Sequence, residues 1–417
     1  MFSLFKFSIL SLTLLGEKVS LTGSLSPSNL LSTISDRSFL VVGGTGRVGG
    51  SVARSLSNNG AKRVAVGGRG GGDTTQGDYG RDYIVVDKDN AESLVGLDLS
   101  SFDLVVNTAG PFQGKSKDSN LLMEKCLSSK VPYIDVCDDF ETAKRAKQDF
   151  SEQAVAANVP IIISTGCWPG VSSLMSKALL HELGEETDPS RISCKFQFFT
   201  AGSGNAGVTL LVATFLILAE RALKVVDGVK MYEKPMDVYE TVDFGPEVGA
   251  KYVAPLNLLE TASVAETLKI GSVESLFGTS PNFWNSLLGF SAKFPTSLLS
   301  NEPLMRALSS FSMPIVRVVD KFAGAKNAMR VDLTTQDDRM VSATYAHMDL
   351  EPCVGECVAA FAAATLSKEV GVRPGVWFTE EAIDAKHCPA VLGAAAVNAF
   401  TKSTKGLPND RIWGDNT

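Results

Sequence analysis

A glycine-rich turn is the part of this 417-residue sequence whose residue types and spacing point most directly to chemistry. Residues 43–49 read Gly-Gly-Thr-Gly-Arg-Val-Gly, with G-x-G-x-x-G at Gly44, Gly46 and Gly49. The turn follows a β-branched segment and precedes a helical pattern, the context in which backbone N–H groups and a helix N-terminus bind a pyrophosphate. We therefore predict a dinucleotide-binding site. Its predicted residues are Gly43, Gly44, Thr45, Gly46, Arg47, Val48 and Gly49.

The end of the next predicted strand, 63–66, bears on which dinucleotide binds. Arg69 lies about twenty residues after Gly49, where an NAD-binding enzyme has an acidic residue for the ribose 2′-hydroxyl. A guanidinium can instead donate two charge-assisted hydrogen bonds to a 2′-phosphate. The alternative is that Arg69 belongs to a solvated loop. We predict binding of NADP(H) in preference to NAD(H).

Alternating strand and helix patterns must position this turn. Four further strands are predicted, and helical patterns follow at 119–130 and 140–158, which indicates an α/β fold with a Rossmann-type, doubly wound parallel sheet. Ligands of such sheets bind at the carboxyl ends of the strands. The four strands are 83–87, 103–107, 133–137 and 159–164. This rule adds Asp87, Asn107, Ala109, Gly110 and Pro111 to the cofactor site, and it predicts Phe112, Gln113, Gly166, Cys167 and Trp168 at the substrate site.

Hydride transfer usually also needs a group that donates or accepts a proton. None of the seven tyrosines is followed four residues later by a lysine, so the Tyr-x-x-x-Lys pair of short-chain dehydrogenases is absent. The candidates are Cys137, Asp138 and His347, the last with Asp349 two residues on to orient its ring. Each has a structural alternative: a buried thiol, a cap of the helix after 140, or a histidine between two lobes.

Composition excludes several classes of protein. With 39 Lys and Arg against 46 Asp and Glu, the net charge of −7 disfavours nucleic-acid binding. Seven cysteines without a C-x-x-C pair, together with three histidines, favour neither a metal site nor a disulfide scaffold. The longest apolar stretch, 206–219, is shorter than the ~20 residues that cross a bilayer. We predict a small-molecule substrate, no nucleic-acid partner, no metal and no transmembrane span.

Four segments are expected along the chain. Residues 1–37, with a short apolar run and a hydroxyl-rich, acid-poor continuation, predict a targeting leader or a disordered tail. The leader favours an organelle, the plastid, over the cytoplasm. Within the segment 169–370, apolar stretches such as 283–290 and 307–316 predict one of four features. These are a pocket for an apolar substrate, a peripheral membrane contact, a homodimer interface or ordinary core. The other segments are an NADP-binding domain at 38–168, an inserted α+β substrate or dimerisation domain at 169–370, and a return segment at 371–417.

The inserted domain contributes further elements to this prediction. Strands are expected at 196–199, 329–333 and 340–345, and apolar helices at 208–224 and 355–366. Strands and helices that do not alternate regularly are typical of an α+β lobe.

Eight segments between about residues 39 and 385 resemble the saccharopine dehydrogenase-like oxidoreductases, in particular their plant, algal and cyanobacterial branch. They are VVGGTGRVGG, VVNTAGPFQG, YIDVCDD, STGCWPGVSSLM, SGNAGVTLLVATFLILAE, NAMRVDL, YAHMDLEPCVG and PGVWFTEEAI, in the family's order. The resemblance implies a nicotinamide-cofactor fold with an inserted substrate domain. It does not imply that saccharopine is the substrate.

The sequence thus predicts an NADP(H)-dependent oxidoreductase that transfers hydride to or from a small carbonyl or imine substrate, with an apolar substrate suggested by the inserted domain. The alternative is a non-catalytic nucleotide-binding protein that uses the same fold as a structural or membrane-associated interaction module.

Overall fold

The computed structural model describes residues 25–70, 82–115, 120–184, 186–202 and 207–395, and the backbone of 400–405. Two β-sheets carry the helices. The strands are β1 (Ser38–Val42), β2 (Arg63–Gly68), β3 (Tyr83–Val85), β4 (Leu104–Asn107), β5 (Tyr133–Asp135), β6 (Pro160–Ile163), β7 (Ile192–Ala201), β8 (Ala222–Val226), β9 (Val229–Glu233), β10 (Glu240–Asp243), β11 (Ala250–Pro255), β12 (Ser272–Ser280), β13 (Asn327–Thr335), β14 (Met340–His347), β15 (Gly375–Phe378) and β16 (Phe400–Lys405). The helices are α1 (Pro27–Leu31), α2 (Arg47–Asn58), α3 (Ala91–Val95), α4 (Leu121–Ser128), α5 (Phe140–Ala157), α6 (Val171–Glu182), α7 (Val208–Leu218), α8 (Leu259–Leu268), α9 (Asn282–Ser291), α10 (Thr296–Leu299), α11 (Glu302–Ala323), α12 (Leu350–Leu366), α13 (Thr379–Ala382) and α14 (Cys388–Ala395).

The first sheet is parallel throughout and has the strand order β15-β6-β5-β4-β1-β2-β3. Parallel sheets are covered on both faces, so their strands are continuously apolar. All five residues of β1 are buried accordingly. The Rossmann-type doubly wound sheet predicted from the sequence is confirmed.

Helices α4 and α5 confirm the two helical patterns predicted in this lobe. The N-terminus of α5 is capped by Asp139, whose side chain accepts a hydrogen bond from the Thr142 N–H at 2.7 Å. The helix ends at Asn158, which adopts the left-handed conformation with φ of 57°.

The second sheet is mixed and has the order β10-β11-β12-β7-β13-β14-β16, with the β8–β9 hairpin attached to β12. The three strands predicted here lie within β7, β13 and β14. Strand β7 pairs antiparallel with β13 but parallel with β12, so the sheet is not purely antiparallel. The second, α+β lobe is confirmed.

The apolar helix predicted over 208–224 is too long. Helix α7 ends at Leu218, and β8 begins at Ala222. Asp227 and Gly228, both at positive φ, form the tight turn between β8 and β9. An Asp-Gly pair between β-branched residues is typical of a hairpin, and this local signal outweighs the helical pattern.

Helix α12 brings the two lobes into contact because it packs directly on α2. A Cβ added to Gly355 would lie 2.6 Å from the Ser51 Oγ, so only glycine permits this approach. After residue 371 the chain returns to the first sheet as β15, while β16 pairs with β14 of the second sheet. The domain boundaries at 168 and 370 stay predictions.

Residues 25–37 differ from the predicted leader or disordered tail. Helix α1 is capped by Ser26 and contacts α12 and α14. Leu30 and Ile34, one helical turn apart, are fully buried. This part of the segment is therefore folded, because its apolar residues belong to the core. Residues 1–24 lie outside the described residues, and the leader remains a prediction for them alone.

Candidate cofactor and substrate site

A cavity of about 590 Å³ runs along the carboxyl ends of the first sheet. Segments after β1, β2, β3, β4, β5 and β6 line it, as do residues of α7, α11 and α12. The edge predicted by the strand-end rule is thus where the cavity lies. The predicted residues that line it are Gly43, Thr45, Gly46, Arg47, Val48, Gly49, Arg69, Asp87, Ala109, Gly110, Pro111, Phe112, Gln113, Asp138, Gly166, Cys167 and Trp168.

In the turn after β1, some glycines pack tightly against the protein and one leaves room for a ligand. Gly43 has φ of +82°, a conformation that other L-residues rarely adopt. A Cβ on Gly49 would lie 2.3 Å from the Gly43 carbonyl oxygen, and one on Gly44 would lie 2.7 Å from the Val66 Cβ. Gly44 therefore packs the turn on β2 and does not line the cavity. At Gly46 a Cβ would meet only the Gly43 oxygen, at 3.1 Å, so this glycine lets a ligand approach the backbone.

The N-terminus of α2 faces the same cavity. Gly46 is its N-cap and has no side chain to satisfy the first amides. The first hydrogen bond of the helix is donated by the Gly50 N–H to the Gly46 carbonyl, at 2.7 Å. The N–H groups of residues 47–49 therefore have no acceptor within the helix. Such a terminus carries partial positive charge and favours a phosphate.

Arg69 lies just beyond β2, is exposed, and lines the cavity. The Tyr83 hydroxyl accepts a hydrogen bond from the Gly70 N–H at 3.1 Å, which ties the Arg69 turn to β3. Asp87 also lines the cavity, but one of its carboxylate oxygens accepts the Asp89 N–H at 3.1 Å within its own turn. Lys88, which directly follows Asp87 and was not predicted, also lines the cavity, and its Nζ lies 2.7 Å from Oδ1 of Asp89.

Arg47 is held by a partner on another element. Its Nε lies 2.9 Å from Oε1 of Glu351 in α12. Burial raises the pKa of Glu351, and Arg47 acts in the opposite direction. Part of the Arg47 charge is therefore compensated within the protein, whereas Arg69 faces the cavity at the end of β2.

Asp138 is the ionisable candidate that lines the far end of the cavity. Because Asp139 is the N-cap of α5, Asp138 does not fill the capping role considered for it. Burial raises the pKa of Asp138 to about 6. The Gln113 side chain beside it acts to lower this pKa, and the charges of Asp139 and Asp135 act to raise it. A carboxyl group with this pKa can both hold and release a proton near neutral pH.

Gln113 lies beside Asp138 and is 6% exposed. Within the described part of the chain, neither its Nε2 nor its Oε1 has a hydrogen-bond partner of normal geometry. A buried amide left in this way is costly unless something else satisfies it. Gln113 lines the cavity, and its amide also acts on the carboxyl group of Asp138, so we assign both residues to the same end of the site.

Phe112 and Trp168 line the cavity and also pack against the protein. Phe112 is 9% exposed, and the Trp168 ring lies 5.5 Å from that of Phe198. Each ring therefore has one side in the core and one side at the cavity, so the wall and core interpretations both describe part of its environment.

Besides Gly44, three predicted site residues lie outside the cavity lining. Asn107 donates to the Tyr133 hydroxyl at 3.0 Å and accepts from the Ala109 N–H at 3.1 Å, so it shapes the turn that follows β4. Cys137 is 2% exposed, and burial raises the pKa of its thiol well above the usual value. We do not assign a chemical role to Cys137.

His347 is the third of these residues. Its Nε2 lies 3.3 Å from Oε2 of Glu356, and its Nδ1 accepts the backbone N–H of Asp349 at 3.2 Å. The ring is thus oriented by Glu356 and not by the Asp349 carboxylate. Burial lowers the pKa of His347, but the contact with Glu356, together with Cys353 and the Asp349 backbone, raises it overall.

A cluster of three buried cysteines lies beside the cavity. The Sγ atoms of Cys167, Cys353 and Cys357 all lie within 4.8 Å of one another, and Cys167 lines the cavity. The Tyr345 hydroxyl is 2.9 Å from the Cys353 Sγ. Burial raises the pKa of Cys167 and Cys357 well above the usual value. Spacing along the chain did not reveal this cluster, because Cys167 is far from the other two in sequence.

The inserted lobe contributes lining residues that the sequence analysis missed. Gly207, the N-cap of α7, follows a glycine-rich stretch, the same loop-to-helix pattern that marks α2, and this signal was available. The rule that ligands bind at the carboxyl ends of strands does not predict residues of α11 or of the start of α12. The missed lining residues of these helices are Gly207, Thr209, Leu210, Ala213, Glu302, Arg306, Leu350, Glu351 and Val354.

Residues 39–161 match a family model described as the saccharopine dehydrogenase NADP binding domain. The nucleotide-binding lobe belongs to that family. The match covers the turn after β1, Arg69 and the loops that follow β4 and β5. It confirms the resemblance to the saccharopine dehydrogenase-like family, and NADP binding by this domain follows from it. The plant, algal and cyanobacterial branch stays a prediction.

A solved structure shows the same fold over most of the chain. Apo saccharopine dehydrogenase (L-Glu forming) from Saccharomyces cerevisiae superposes with a TM-score of 0.58 at 12% sequence identity, over 89% of this chain and 100% of that one. A meso-diaminopimelate dehydrogenase mutant from Clostridium tetani E88 gives 0.45 at 13% identity, over 85% and 96% of the two chains. No curated protein sequence matches significantly. Among the described residues, none of the helices has the length and apolar character needed to cross a membrane.

Proposed function

We propose that this nucleotide-binding saccharopine dehydrogenase-like protein is an NADP(H)-dependent oxidoreductase, acting on a small carbonyl or imine substrate. The observation that carries the proposal is the single cavity that joins the two parts of a hydride-transfer site. One end has the phosphate-binding turn and Arg69, and the other has Asp138 with the amide of Gln113 beside it.

The residues at the first end fit NADP(H). The open face of Gly46 and the amides of residues 47–49 suit the pyrophosphate, and Arg69 suits a 2′-phosphate. When bound, the cofactor supplies or accepts the hydride. We propose that NADP(H) is preferred over NAD(H) because no carboxylate stands at the Arg69 position to repel the 2′-phosphate.

Residues at the second end handle the proton and the orientation of the substrate. In the reductive direction, protonated Asp138 donates its proton to the substrate oxygen or nitrogen, and in the reverse direction the carboxylate takes it back. The Gln113 amide donates to or accepts from the same polar group and thereby satisfies its own buried atoms. Phe112 and Trp168 exclude water from the reacting carbon.

The test is NADPH consumption with a panel of aliphatic and aromatic aldehydes and ketones, each offered alone and with ammonia or a primary amine. We expect turnover with at least one member and a 10²- to 10⁴-fold lower kcat/KM for Asp138→Asn, the usual range for a general acid or base. The affinity for NADPH, measured by fluorescence titration, should not change in this variant.

Asp149→Asn is the matched control, because Asp149 is a carboxylate of α5 that pairs with Arg145 and does not line the cavity. It should retain full turnover. Tight NADPH binding with no turnover across the whole panel would favour the alternative of a non-catalytic nucleotide-binding module.

A further inference from the structure

Exposed apolar side chains are concentrated in one short segment of the inserted lobe. Among the described residues, 22 large apolar side chains are exposed, and 11 of them lie between residues 282 and 323. This segment comprises α9, α10 and α11 and the short connections between them. We call its exposed side the apolar face. Its members are Phe283, Leu287, Phe290, Phe294, Leu298, Leu304, Leu308, Phe311, Ile315, Val318 and Phe322.

Helix α9 exposes three of its apolar side chains, although Leu288 of the same helix packs partly buried against the core of the inserted lobe. Phe283, Leu287 and Phe290 repeat at helical spacing and are 53%, 45% and 58% exposed. The residues of α9 that are buried are the polar Asn285 and Ser291. Asn285 is fixed there, since its side chain accepts the Thr279 N–H at 2.8 Å and donates to the Thr279 carbonyl at 3.0 Å. The apolar side of α9 is therefore held outward by specific hydrogen bonds.

Helix α11 has two separate apolar stripes. Met305, Met313 and Val316 belong to the stripe that packs on the protein. A second stripe runs along the outside from Leu304 to Phe322, where Phe311 and Phe322 are 81% and 87% exposed. At about 100° per residue the centres of the two stripes lie roughly 140° apart. Packing against the rest of the chain thus accounts for one stripe and leaves the other without a protein partner among the described residues.

The exposed charges of the segment are all positive although the whole chain carries −7. Lys293, Arg306, Arg317 and Lys321 are exposed, whereas Asp320 is buried and Glu302 is partly buried. On α11, Lys321 and Arg317 lie roughly 100° and 140° around the helix from the centre of the outer apolar stripe, both toward the same side. Aromatic and aliphatic side chains with Lys and Arg beside them are typical of a helix that lies in the interface of a membrane.

We propose that the apolar face of α9–α11 docks this protein on the surface of a bilayer that contains anionic lipids. The apolar side chains enter the boundary between headgroups and acyl chains, and Lys293, Arg317 and Lys321 contact the anionic headgroups. Helix α11, about 33 Å long, lies in the plane of the membrane and does not cross it.

A bilayer fits this face better than a second copy of the chain. A two-fold interface brings the same patch of both subunits together, so the cations of one copy would face those of the other. Anionic headgroups instead neutralise them. Aromatic side chains at such high exposure also suit a fluid partner, which adapts to their shape without a complementary groove.

The docked orientation places the cavity next to the membrane. Glu302 and Arg306 of α11 line the cavity, and Leu304 and Leu308 on the same helix belong to the apolar face. One helix thus separates the cavity from the lipid. The docking proposal itself does not depend on which substrate the cavity accepts.

The experiment is flotation of the full chain with phosphatidylcholine vesicles and with vesicles that also contain phosphatidylglycerol. We expect binding to the anionic vesicles, and weaker binding as salt rises from about 0.1 M to about 1 M. Phe311→Ser/Ile315→Ser/Phe322→Ser should reduce the partition coefficient at least tenfold, because three large side chains no longer enter the lipid. Arg317→Gln/Lys321→Gln should reduce it on anionic vesicles only.

Val229→Ser/Met231→Ser/Tyr232→Ser is the matched control, since it removes three exposed apolar side chains of β9 outside the apolar face. It should bind vesicles as the unmodified protein does. NADPH binding and thermal unfolding of every variant report whether it is folded, and neither triple variant alters the cofactor site.

Light scattering without lipid measures the molar mass of the protein and tests whether a second copy of the chain covers the apolar face instead. The proposal would be overturned in favour of self-association by two results together. The unmodified protein would be a dimer that does not bind vesicles, and Phe311→Ser/Ile315→Ser/Phe322→Ser would convert it to monomers. Equal binding to neutral and anionic vesicles, unchanged in Arg317→Gln/Lys321→Gln, would overturn the role assigned to anionic lipid. Because flotation needs no turnover, its failure and a failure of the proposed oxidoreductase activity are separate results.

Discussion

The two ends of the cavity are built in different ways. The cofactor end consists largely of backbone from one contiguous turn, residues 43–49, and the first amides of the helix that follows. The substrate end consists of side chains from separate loops, notably Gln113, Asp138 and Cys167. A contiguous turn of backbone binds the pyrophosphate that all dinucleotides share. A site assembled from separate side chains changes its specificity whenever one of those residues is replaced. The cofactor end is therefore set by local sequence, whereas the substrate end is set by side chains that folding brings together.

The two ends also differ in electrostatics. The cofactor end offers N–H groups and the guanidinium of Arg69 to an anion. At the substrate end burial raises the pKa of Asp138 to about 6, and behind it burial raises the pKa of Glu260 to about 7. Glu260 does not line the cavity, and one of its oxygens accepts a hydrogen bond from the Ser172 hydroxyl at 2.7 Å. We therefore expect proton-dependent behaviour at the substrate end.

The largest effect is expected from filling the cofactor turn. In Gly49→Ala the new Cβ would lie 2.3 Å from the Gly43 oxygen and 2.5 Å from the Thr108 Oγ1, so the turn must move. We expect NADPH affinity to fall about 100-fold, which is about 2.8 kcal/mol. Gly96→Ala, where a Cβ would meet open space, is the control and should bind NADPH normally. Unchanged affinity in Gly49→Ala by fluorescence titration would remove the turn from the cofactor site.

A change of charge at Arg69 tests the choice of dinucleotide. A charge-assisted hydrogen bond to the 2′-phosphate is worth roughly 1.5–3 kcal/mol, so Arg69 should provide about a 10- to 100-fold preference for NADPH over NADH. Arg69→Asp should abolish this preference mainly by weakening NADPH. Lys62→Asp is the control. It makes the same change of charge just before the first residue of β2 and should not alter the ratio of the dissociation constants for NADPH and NADH.

Turnover should depend on pH through Asp138. Its pKa is raised from 3.8 to about 6, so the group is protonated below pH 6 and loses its proton above it. As a proton donor, Asp138 should give a kcat/KM for reduction that is level below about pH 6 and falls up to about tenfold per unit above it. Glu260→Gln removes a different buried carboxyl with a raised pKa and should keep this inflection. A profile without an inflection near pH 6 would exclude Asp138 as the donor.

The smallest effect is expected at Gln113. Gln113→Leu removes two buried polar atoms that lack a protein hydrogen-bond partner of normal geometry, so the melting temperature should stay the same or rise. One hydrogen bond to the substrate is lost, and KM should rise about 3- to 10-fold. Gln197→Leu is the contrasting variant, because the Gln197 amide donates to Asp332 at 2.8 Å and its loss should lower the melting temperature. Destabilisation by Gln113→Leu would indicate a structural role for Gln113.

Local sequence determined the nucleotide-binding half of the molecule. The segment β1–turn–α2, the strands that follow it and helices α4 and α5 were all predicted, because strand and helix periodicity, caps and glycines act over a few residues. The position of Arg69 and the edge where the cavity opens followed from the same order of elements. Parallel strands bring their carboxyl ends together, so this part of the site needed no knowledge of distant contacts.

Only the tertiary structure decided the rest. The contact of Gly355 with Ser51 places α12 on α2, and this brings Cys353 and Cys357 beside Cys167. The same folding buries Leu30 and Ile34, which the sequence assigned to a leader. Helix α11 shows the physical reason most clearly. Its sequence contains two apolar stripes of similar character, and periodicity alone cannot tell which one packs on the protein and which one is left exposed.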